Sequence, residues 1–198
     1  KDAEKIAAKI AEAEANHISN YLAKAALSPA TGRICAIGLY DVANKSHLSV
    51  VKEAGVYDEG AMLRAWWDLF NFWMQKTNDG KPFVLVGHNI YDFDLPFMVN
   101  RSRILGIRVP IMAYTIKGGR FYWSERFVDT RTMWLLGRKA SDTPSSLDYV
   151  AGAFGVGKKA GNGADFAALL ESDREAALAY LRQDLNLTAG IAAKMGIF

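Results

Sequence analysis

Apolar residues recur along the chain with a helical period at first and in strand-like runs afterwards. Residues 1–27 place Ile6, Ile10 and further apolar side chains at near-helical spacing between charged residues, so we expect an amphipathic helix. Residues 33–42 and 47–53 are apolar runs separated by a turn. We expect them to form two strands that pair as a hairpin, the first of them buried.

A second helix, richer in aromatic residues, is predicted over residues 59–76. Its large apolar residues stand at helical intervals: Met62, Leu63, Trp66, Trp67, Phe70, Trp73 and Met74. We expect the tryptophans to pack in the core, because a platform for nucleobases would need them exposed. The short, almost continuously apolar run 82–87 then predicts a strand covered on both faces.

The next part of the chain predicts two helices with a strand between them. Asp94 is expected to cap a helix that tolerates Pro96 in its first turn. The run 126–130 predicts a strand that ends near Asp129, and residues 145–156 predict a short helix.

A loop rich in glycine and lysine, residues 155–163, precedes the closing helices. Residues 173–195 have the pattern of a long helix, with Asp173 as its N-cap and Glu175 in its first turn. A hairpin, a buried strand and several helices in this order predict a mixed α/β domain.

Composition supports a folded protein and excludes several classes. With 51% hydrophobic residues among 198, the chain can bury a full core, which excludes disorder as its main state. The net charge of +3 is too small to indicate a partner. The single cysteine, Cys35, cannot form an internal disulfide, and no apolar run reaches the roughly 18 residues that span a bilayer. We therefore expect a cytoplasmic protein with no membrane partner.

Carboxylates stand at two places that such a fold would bring together. Asp94 follows the strand predicted over 82–87, and active sites of open α/β sheets gather at such carboxyl ends. Tyr180 and Asp184 are four residues apart, so both project from one face of a helix. Two carboxylates on separate elements would hold a hard divalent cation such as Mg²⁺, which prefers oxygen ligands. Taken alone, Asp94 is equally explained as a helix cap.

The combination of these residues resembles a known family. The string GHN at 87–89 with FD at 93–94, followed by Tyr180 and Asp184 in the string YLRQD, resembles the second and third motifs of the DEDD 3′-to-5′ exonucleases in their tyrosine-type branch. That branch includes the proofreading domains of family B DNA polymerases. The chain is most similar to stand-alone predicted exonucleases related to those polymerases.

The resemblance covers residues from about 33 to 198. It implies a ribonuclease H-like α/β fold, with a mixed central sheet flanked by helices. Residues 1–27 would be an extra helical arm, and residues 28–198 would form the exonuclease-like domain.

The resemblance also implies a set of catalytic residues. Asp94 and Asp184 match two of the four acidic residues that bind two Mg²⁺ or Mn²⁺ ions in the family, and Tyr180 matches the tyrosine that orients the attacking water. The implied reaction is hydrolysis of single-stranded or 3′-terminal nucleic acid to nucleoside monophosphates, with single-stranded DNA as the expected partner.

The substrate-binding residues follow in the same way. Asn89 and Phe93 match positions that shape the pocket and contact the terminal nucleotide, and His88 would be a neighbour of that pocket. A structural explanation stays open for both motif positions, with Asn89 as a turn residue and Phe93 as part of the core.

The chain departs from the family pattern at the first motif. An Asp-x-Glu strand should precede the hairpin, but the chain has this string only at residues 2–4, between lysines and without an apolar strand around it. We expect the leading strand to lie upstream of Lys1, joined through residues 1–27 as an insertion. The alternative is that the motif is lost and the protein is a nucleic-acid-binding module. A central strand at residues 21–23 would exclude the first explanation.

Basic residues concentrate between positions 101 and 139. This segment contains nine basic and two acidic residues, which gives it a net charge of +7. They are Arg101, Arg103, Arg108, Lys117, Arg120, Arg126, Arg131, Arg138 and Lys139. Together with the aromatic residues 121–123, this segment is the expected phosphate-facing surface. A solvated hairpin with its aromatic residues in the core explains the pattern equally well.

For two lysines and two aspartates the sequence allows both a functional and a structural role. Lys158 and Lys159 would clamp a nucleic-acid strand or be solvated, while Asp129 and Asp148 are expected to order turns or begin helices rather than to bind metal. A third possible function is a structural subunit whose helical arm docks another protein. A basic segment folded away from Asp94 and Asp184 would favour it.

Overall fold

The computed structural model describes residues 2–52, 58–78, 81–111, 113 and 126–198. The chain forms two compact units, Lys1–Arg33 and Ile34–Phe198. None of the described helices is long and apolar enough to cross a membrane.

The first unit is dominated by one helix, α1, at Asp2–Leu27. The helix predicted over residues 1–27 is thus present, and Tyr21 lies within it rather than in a strand. Its apolar residues are exposed; Ile10, for example, keeps 54% of its surface accessible. A hydrogen bond from the Thr31 hydroxyl to the Ala25 carbonyl, at 2.7 Å, secures the C-terminal turn.

The second unit combines short strands with helices. Its strands are β1 (Ala36–Asp41), β2 (Ser46–Val51), β3 (Thr77–Asn78), β4 (Lys81–Pro82), β5 (Leu85–Gly87) and β6 (Phe127–Asp129). Its α-helices are α2 (Glu59–Gln75), α3 (Leu95–Ile104), α4 (Thr130–Leu135), α5 (Leu147–Ala153), α6 (Phe166–Ser172) and α7 (Arg174–Lys194). A π-helical turn at Ile90–Asp94 precedes α3, and a 3₁₀ turn at Gly163–Asp165 precedes α6. This is the predicted α/β class, with every predicted helix present.

The strands pair as three two-stranded sheets. β1 and β2 form the predicted antiparallel hairpin, with Asp41 opposite Ser46 at its closed end. β3 and β4 form a second antiparallel pair, and β5 and β6 run parallel, with Gly87 opposite Asp129. A single central sheet is therefore not formed in the part of the chain that the structure describes. Instead α7 packs against both β1 and β5.

The close packing of α7 depends on a glycine in β1. A Cβ atom on Gly38 would lie 3.0 Å from side-chain atoms of Leu181 and Leu185 on α7. The prediction that β1 and β5 are buried was wrong, because both strands are half-buried along their length. Each strand has only one partner strand among the described residues.

The hydrophobic core is built on α2. Leu63, Trp66, Trp67 and Phe70 are buried, and the Phe70 ring stacks on Phe127 of β6 with ring centroids 6.2 Å apart. This arrangement confirms that these tryptophans pack in the core. The sequence predicted this burial because apolar residues at helical intervals form one face of a helix, and that face packs on the core.

A buried ion pair joins the hairpin to two helices. The carboxylate of Glu59, at the start of α2, accepts hydrogen bonds at 2.9 Å from both the Ile34 backbone N–H and Arg101 Nε on α3. Glu59 and Arg101 are only 5% and 7% exposed. The prediction that Arg101 faces phosphate was wrong, because its charge is used inside the fold, where an isolated carboxylate would be costly.

Replacing Arg101 by Met should therefore strongly destabilise the protein. The change leaves Glu59 charged and buried without its ionic partner, and we expect the free energy of unfolding to fall by about 3 to 5 kcal/mol. Arg103→Met, on the exposed side of the same helix, is the matched control and should cost less than about 0.5 kcal/mol. Urea denaturation of both variants makes the comparison, and equal losses would contradict this role.

Candidate functional site

The site begins where β5 ends, at a turn that requires glycine. A Cβ atom on Gly87 would lie 2.6 Å from Cβ of Ile90, closer than nonbonded carbons can approach. Two residues later Asn89 has φ 68°, in the left-handed region that asparagine tolerates better than most residues. The first and third residues of the GHN string are therefore explained by the backbone.

The π-helical turn after Asn89 changes the role predicted for Asp94. The Leu95 backbone N–H bonds to the Ile90 carbonyl, so the chain is already wound when α3 begins. Asp94 consequently has helical backbone angles and its side chain makes no capping hydrogen bond. The prediction that Asp94 caps this helix was wrong, while Pro96 does lie in its first turn. Single π-helical turns occur frequently at functional sites.

Asp129 organises the turn through its buried carboxylate. At the end of β6 it is 1% exposed and accepts hydrogen bonds from four backbone N–H groups. Those of Asn89 and Tyr91 lie across the sheet at 3.0 Å, and those of Arg131 and Thr132 lie at 2.8 and 3.2 Å in α4. The expectation that Asp129 orders a turn and begins a helix is confirmed.

Asp148 has a comparable task elsewhere. It lies in the first turn of α5, and its carboxylate accepts a hydrogen bond from the Lys159 backbone N–H at 2.7 Å. This confirms its predicted place at a helix start and shows that it also anchors the glycine-rich loop.

His88 is held by protein groups on both ring nitrogens. Its Nε2 donates to the Ser145 carbonyl at 2.9 Å, and Nδ1 lies 2.9 Å from the Thr130 hydroxyl. Burial lowers the pKa of His88, and the positive charges of Arg131 and Lys159 lower it further against the Ser145 hydrogen bond and the Asp129 charge. The neutral ring therefore links the strand-end turn to the loop before α5.

The side chain of Asn89 is engaged as well. Its amide oxygen accepts a hydrogen bond at 2.6 Å from Arg131, which also donates to the Ser145 hydroxyl at 3.1 Å. Arg131, predicted as part of the basic segment, is thus bound into the site. Phe93, in contrast to Asn89, is exposed, with 37% of its surface accessible. The centre of its ring lies 5.6 Å from that of Phe97. Phe93 therefore presents a partly exposed aromatic surface.

Asp94 is held in an environment that disfavours its charge. The protein atoms packed around its carboxyl raise the pKa to about 6, a backbone hydrogen bond lowers it, and repulsion from Asp129 adds to the rise. The residue as a whole is nevertheless exposed, so solvent screens part of this effect.

A second group of side chains lies on α7 and the glycine-rich loop. Oδ2 of Asp184 is 3.0 Å from Nζ of Lys159, and that ammonium lies 5.2 Å from the ring centre of Tyr180. The other carboxylate oxygen, Oδ1, and the Tyr180 hydroxyl are buried and make no hydrogen bond of good geometry among the described residues, although Tyr180 interacts with both Lys159 and Asp184. The predicted placement of Tyr180 and Asp184 on one helix face is confirmed.

The charges in this second group act on one another. Burial raises the pKa of Tyr180, and the Asp184 charge adds to the rise against the opposing effect of Lys159. Burial lowers the pKa of Lys159, but Tyr180 and Asp184 outweigh it, so that this pKa is raised. At neutral pH the group therefore consists of a neutral phenol and an ammonium paired with a carboxylate.

Two features connect the turn after β5 with the group on α7. The charge of Lys159, which is paired with Asp184, lowers the pKa of His88, and α7 packs against β5. That Asp94 and Asp184 converge on one cation stays a prediction. Among the residues that the structure describes, no three His, Cys, Asp or Glu side chains cluster closely enough to hold a metal ion.

The residues on α7 nevertheless fit a hard cation in part. A buried polar atom without a well-formed hydrogen bond is costly, and here a carboxylate oxygen and a hydroxyl are both in that state. Oxygen donors of this kind are the ligands that Mg²⁺ and Mn²⁺ prefer. The Asp184 carboxylate would be one donor of a larger set, and the Tyr180 hydroxyl would lie beside it without being a ligand.

Sequence reasoning named Lys159 as a strand clamp or a solvated residue and Arg131 as part of the basic segment, but it did not pair either with a site residue. Both are bound to partners far away in the chain, Asp184 and Asn89, and no local spacing indicates such pairs. The aromatic residues 121–123 and the basic residues Lys117 and Arg120 lie outside the described residues.

Comparison with protein families identifies the chain. The model of the exonuclease domain of DNA polymerase family B matches residues 9–130, more than half of the sequence. The chain belongs to this exonuclease-domain family. The matched range includes the GHN string, Asp94 and Asp129 but ends before α7, so Tyr180 and Asp184 rest on the sequence resemblance and on the geometry.

A solved structure supports the fold of this exonuclease domain. The family B DNA polymerase from the hyperthermophilic archaeon Pyrobaculum calidifontis matches 85% of the chain with a TM-score of 0.58 and 22% sequence identity. The match takes in 22% of that polymerase, so the chain spans about a fifth of its length. Comparison with curated proteins gives no match.

The environment of Asp94 predicts how stability depends on pH. Because the pKa of about 6 lies above the ordinary 3.8, ionisation of Asp94 destabilises the fold as the pH rises through this range. The Asp94→Asn variant cannot ionise at this position. Its free energy of unfolding relative to wild type should therefore rise by about 1 kcal/mol between pH 4 and pH 8; solvent screening keeps the rise this small.

Urea denaturation at both pH values measures this gain. Asp68→Asn, on the exposed face of α2, is the control and should show the same difference from wild type at pH 4 and pH 8. An Asp94→Asn variant that loses stability relative to wild type on going to pH 8 would contradict the analysis.

Proposed function

We propose that this chain is a metal-dependent 3′-to-5′ exonuclease of the tyrosine-type branch, which releases nucleoside monophosphates from single-stranded or 3′-terminal nucleic acid. The observation that carries the proposal is a pair of buried oxygens, on Tyr180 and Asp184, that no well-formed hydrogen bond from the described residues reaches, within a chain of the exonuclease-domain family. Such atoms are costly in a fold unless a ligand completes them.

Asp94 and Asp184 would hold Mg²⁺ or Mn²⁺. When bound, the divalent ions would activate a water and stabilise the leaving 3′ oxygen of an in-line displacement at phosphorus. The raised pKa of Tyr180 keeps its phenol protonated at neutral pH, so its hydroxyl can donate a hydrogen bond and orient the attacking water.

The substrate would be positioned by the turn after β5. Phe93 offers a partly exposed ring against which a terminal base can stack. Asn89 and His88 would fix the shape of this pocket, because the Asn89 amide oxygen and both His88 ring nitrogens already have protein partners. The exposed residues Arg138 and Lys139 would face phosphate.

The proposal includes a ribonuclease H-like arrangement for residues 28–198 with residues 1–27 as a separate helical arm. It also includes single-stranded DNA as the partner and the cytoplasm as the compartment. Burial raises the pKa of the Cys35 thiol, which disfavours its reactive thiolate and suits a structural role.

A second candidate is a nucleic-acid-binding module without catalysis. Two observations favour it: the described residues hold no cluster of three metal-ligating side chains, and Asp184 is already paired with Lys159. The two candidates agree on the bound partner and differ on hydrolysis.

The deciding experiment measures Mn²⁺-dependent degradation of oligonucleotides with 3′ or 5′ overhangs. Residues 1–198 and the full natural protein are compared. Degradation from the 3′ end supports the exonuclease, whereas binding without degradation by both forms contradicts it and favours the module.

Asp184→Asn should lower the rate of this degradation by at least about a hundredfold, because it removes a ligand charge and almost no volume. Asp68→Asn removes an exposed carboxylate of α2 and should keep the wild-type rate. Full activity in Asp184→Asn would contradict the assignment of this residue.

Tyr180→Phe should be milder, with a loss of about tenfold to a hundredfold in kcat and little change in KM. The variant loses a hydroxyl that orients water but no metal ligand. A rise in KM at unchanged kcat would instead assign Tyr180 to substrate binding.

A further inference from the structure

The glycine-rich loop is fixed across the face of α7 that carries Tyr180 and Asp184. The side-chain amide of Gln183 makes two hydrogen bonds of 3.0 Å, accepting from the Ala160 N–H and donating to the Lys158 carbonyl. Together with the hydrogen bond that the Lys159 N–H donates to the Asp148 carboxylate, three contacts hold the backbone of these three loop residues.

The loop approaches the tyrosine closely because it contains glycine. A Cβ atom on Gly161 would lie 3.3 Å from Cε2 of Tyr180, and Gly157 has φ 138°, which side-chain-bearing residues rarely adopt. The backbone between these two glycines therefore lies against α7.

This geometry directs Lys159 to one oxygen of Asp184, and no described residue makes a hydrogen bond to the other oxygen. The ammonium and the carboxylate are each about three-quarters buried, with 23% and 24% of their side-chain surfaces exposed. A divalent ion that binds Asp184 would meet this positive charge at close range, in surroundings that screen it less than water does.

We propose that Lys159 is the resident cation of Asp184, which occupies the carboxylate in the absence of a divalent ion and leaves it when such an ion binds. The inference deepens the proposed function and rests on it for the identity of the incoming ion. Gln183 and Asp148 act as positioning residues, because they hold the loop that carries Lys159.

The first test measures the affinity for Mn²⁺ of the natural full-length protein as wild type and as two variants, Lys159→Gln and Lys158→Gln. Each variant removes one positive charge. The Lys158 side chain is exposed, and Lys158 contacts Gln183 through its backbone carbonyl. Titration of the electron paramagnetic resonance signal of free Mn²⁺ should show about tenfold tighter binding for Lys159→Gln and no change for Lys158→Gln. Equal affinity of Lys159→Gln and wild type, or no binding by either, would overturn the proposal.

The second test needs no variant, so a folding defect cannot obscure it. Trace acetylation of the wild-type protein is mapped by mass spectrometry with and without Mn²⁺, and the labelling of Lys159 is divided by that of Lys158. Displacement predicts that Mn²⁺ raises this ratio severalfold, and an unchanged ratio would overturn it.

The outcomes separate this inference from the proposed function. Mn²⁺-dependent cleavage with an unchanged labelling ratio would refute only the role of Lys159. A raised ratio without any cleavage would uphold Lys159 as the resident cation and refute the exonuclease.

Discussion

The site depends on one buried carboxylate, that of Asp129, which gathers four backbone N–H groups from two distant stretches of chain. On one side it ends β6 and begins α4. On the other it holds the turn after β5, so that Asn89 takes a left-handed conformation and the π-helical turn follows. Its negative charge then adds to the raised pKa of Asp94.

The same region concentrates the unfavourable features of the fold. The elements around β5 and α7 carry a carboxyl with a raised pKa, a non-glycine residue with positive φ, and two buried oxygens that no well-formed hydrogen bond from the described residues reaches. The aromatic core of α2 and the Glu59–Arg101 pair offset these costs from outside the site. A rigid surrounding structure can maintain backbone strain and polar groups without hydrogen bonds. Such features are expected at sites where a ligand binds.

The elements could be predicted from the sequence wherever local pattern decides them. The aromatic period of α2, the capping of α7 by Asp173 and the shared helix face of Tyr180 and Asp184 depend on neighbours within a turn or two. The strands at 36–41 and 46–51 followed from alternation and a turn in the same way.

The errors arose where distant contacts override local preference. Asp94 had the sequence context of a helix cap, but the turn that Asp129 imposes had already wound the chain. Arg101 belonged to a basic segment, but Glu59, 42 residues away, draws it into the core. The ion pair of Lys159 with Asp184 depends likewise on the fold of a loop that no spacing rule describes.

The most direct test of this account is amide hydrogen exchange in Asp129→Asn. Asparagine keeps the shape but supplies one uncharged acceptor in place of two carboxylate oxygens. The account predicts that the amides of Asn89 and Tyr91 lose protection by at least about tenfold, while core amides of α2 keep theirs. Unchanged protection at Asn89 and Tyr91 would contradict the claim that this carboxylate organises the site.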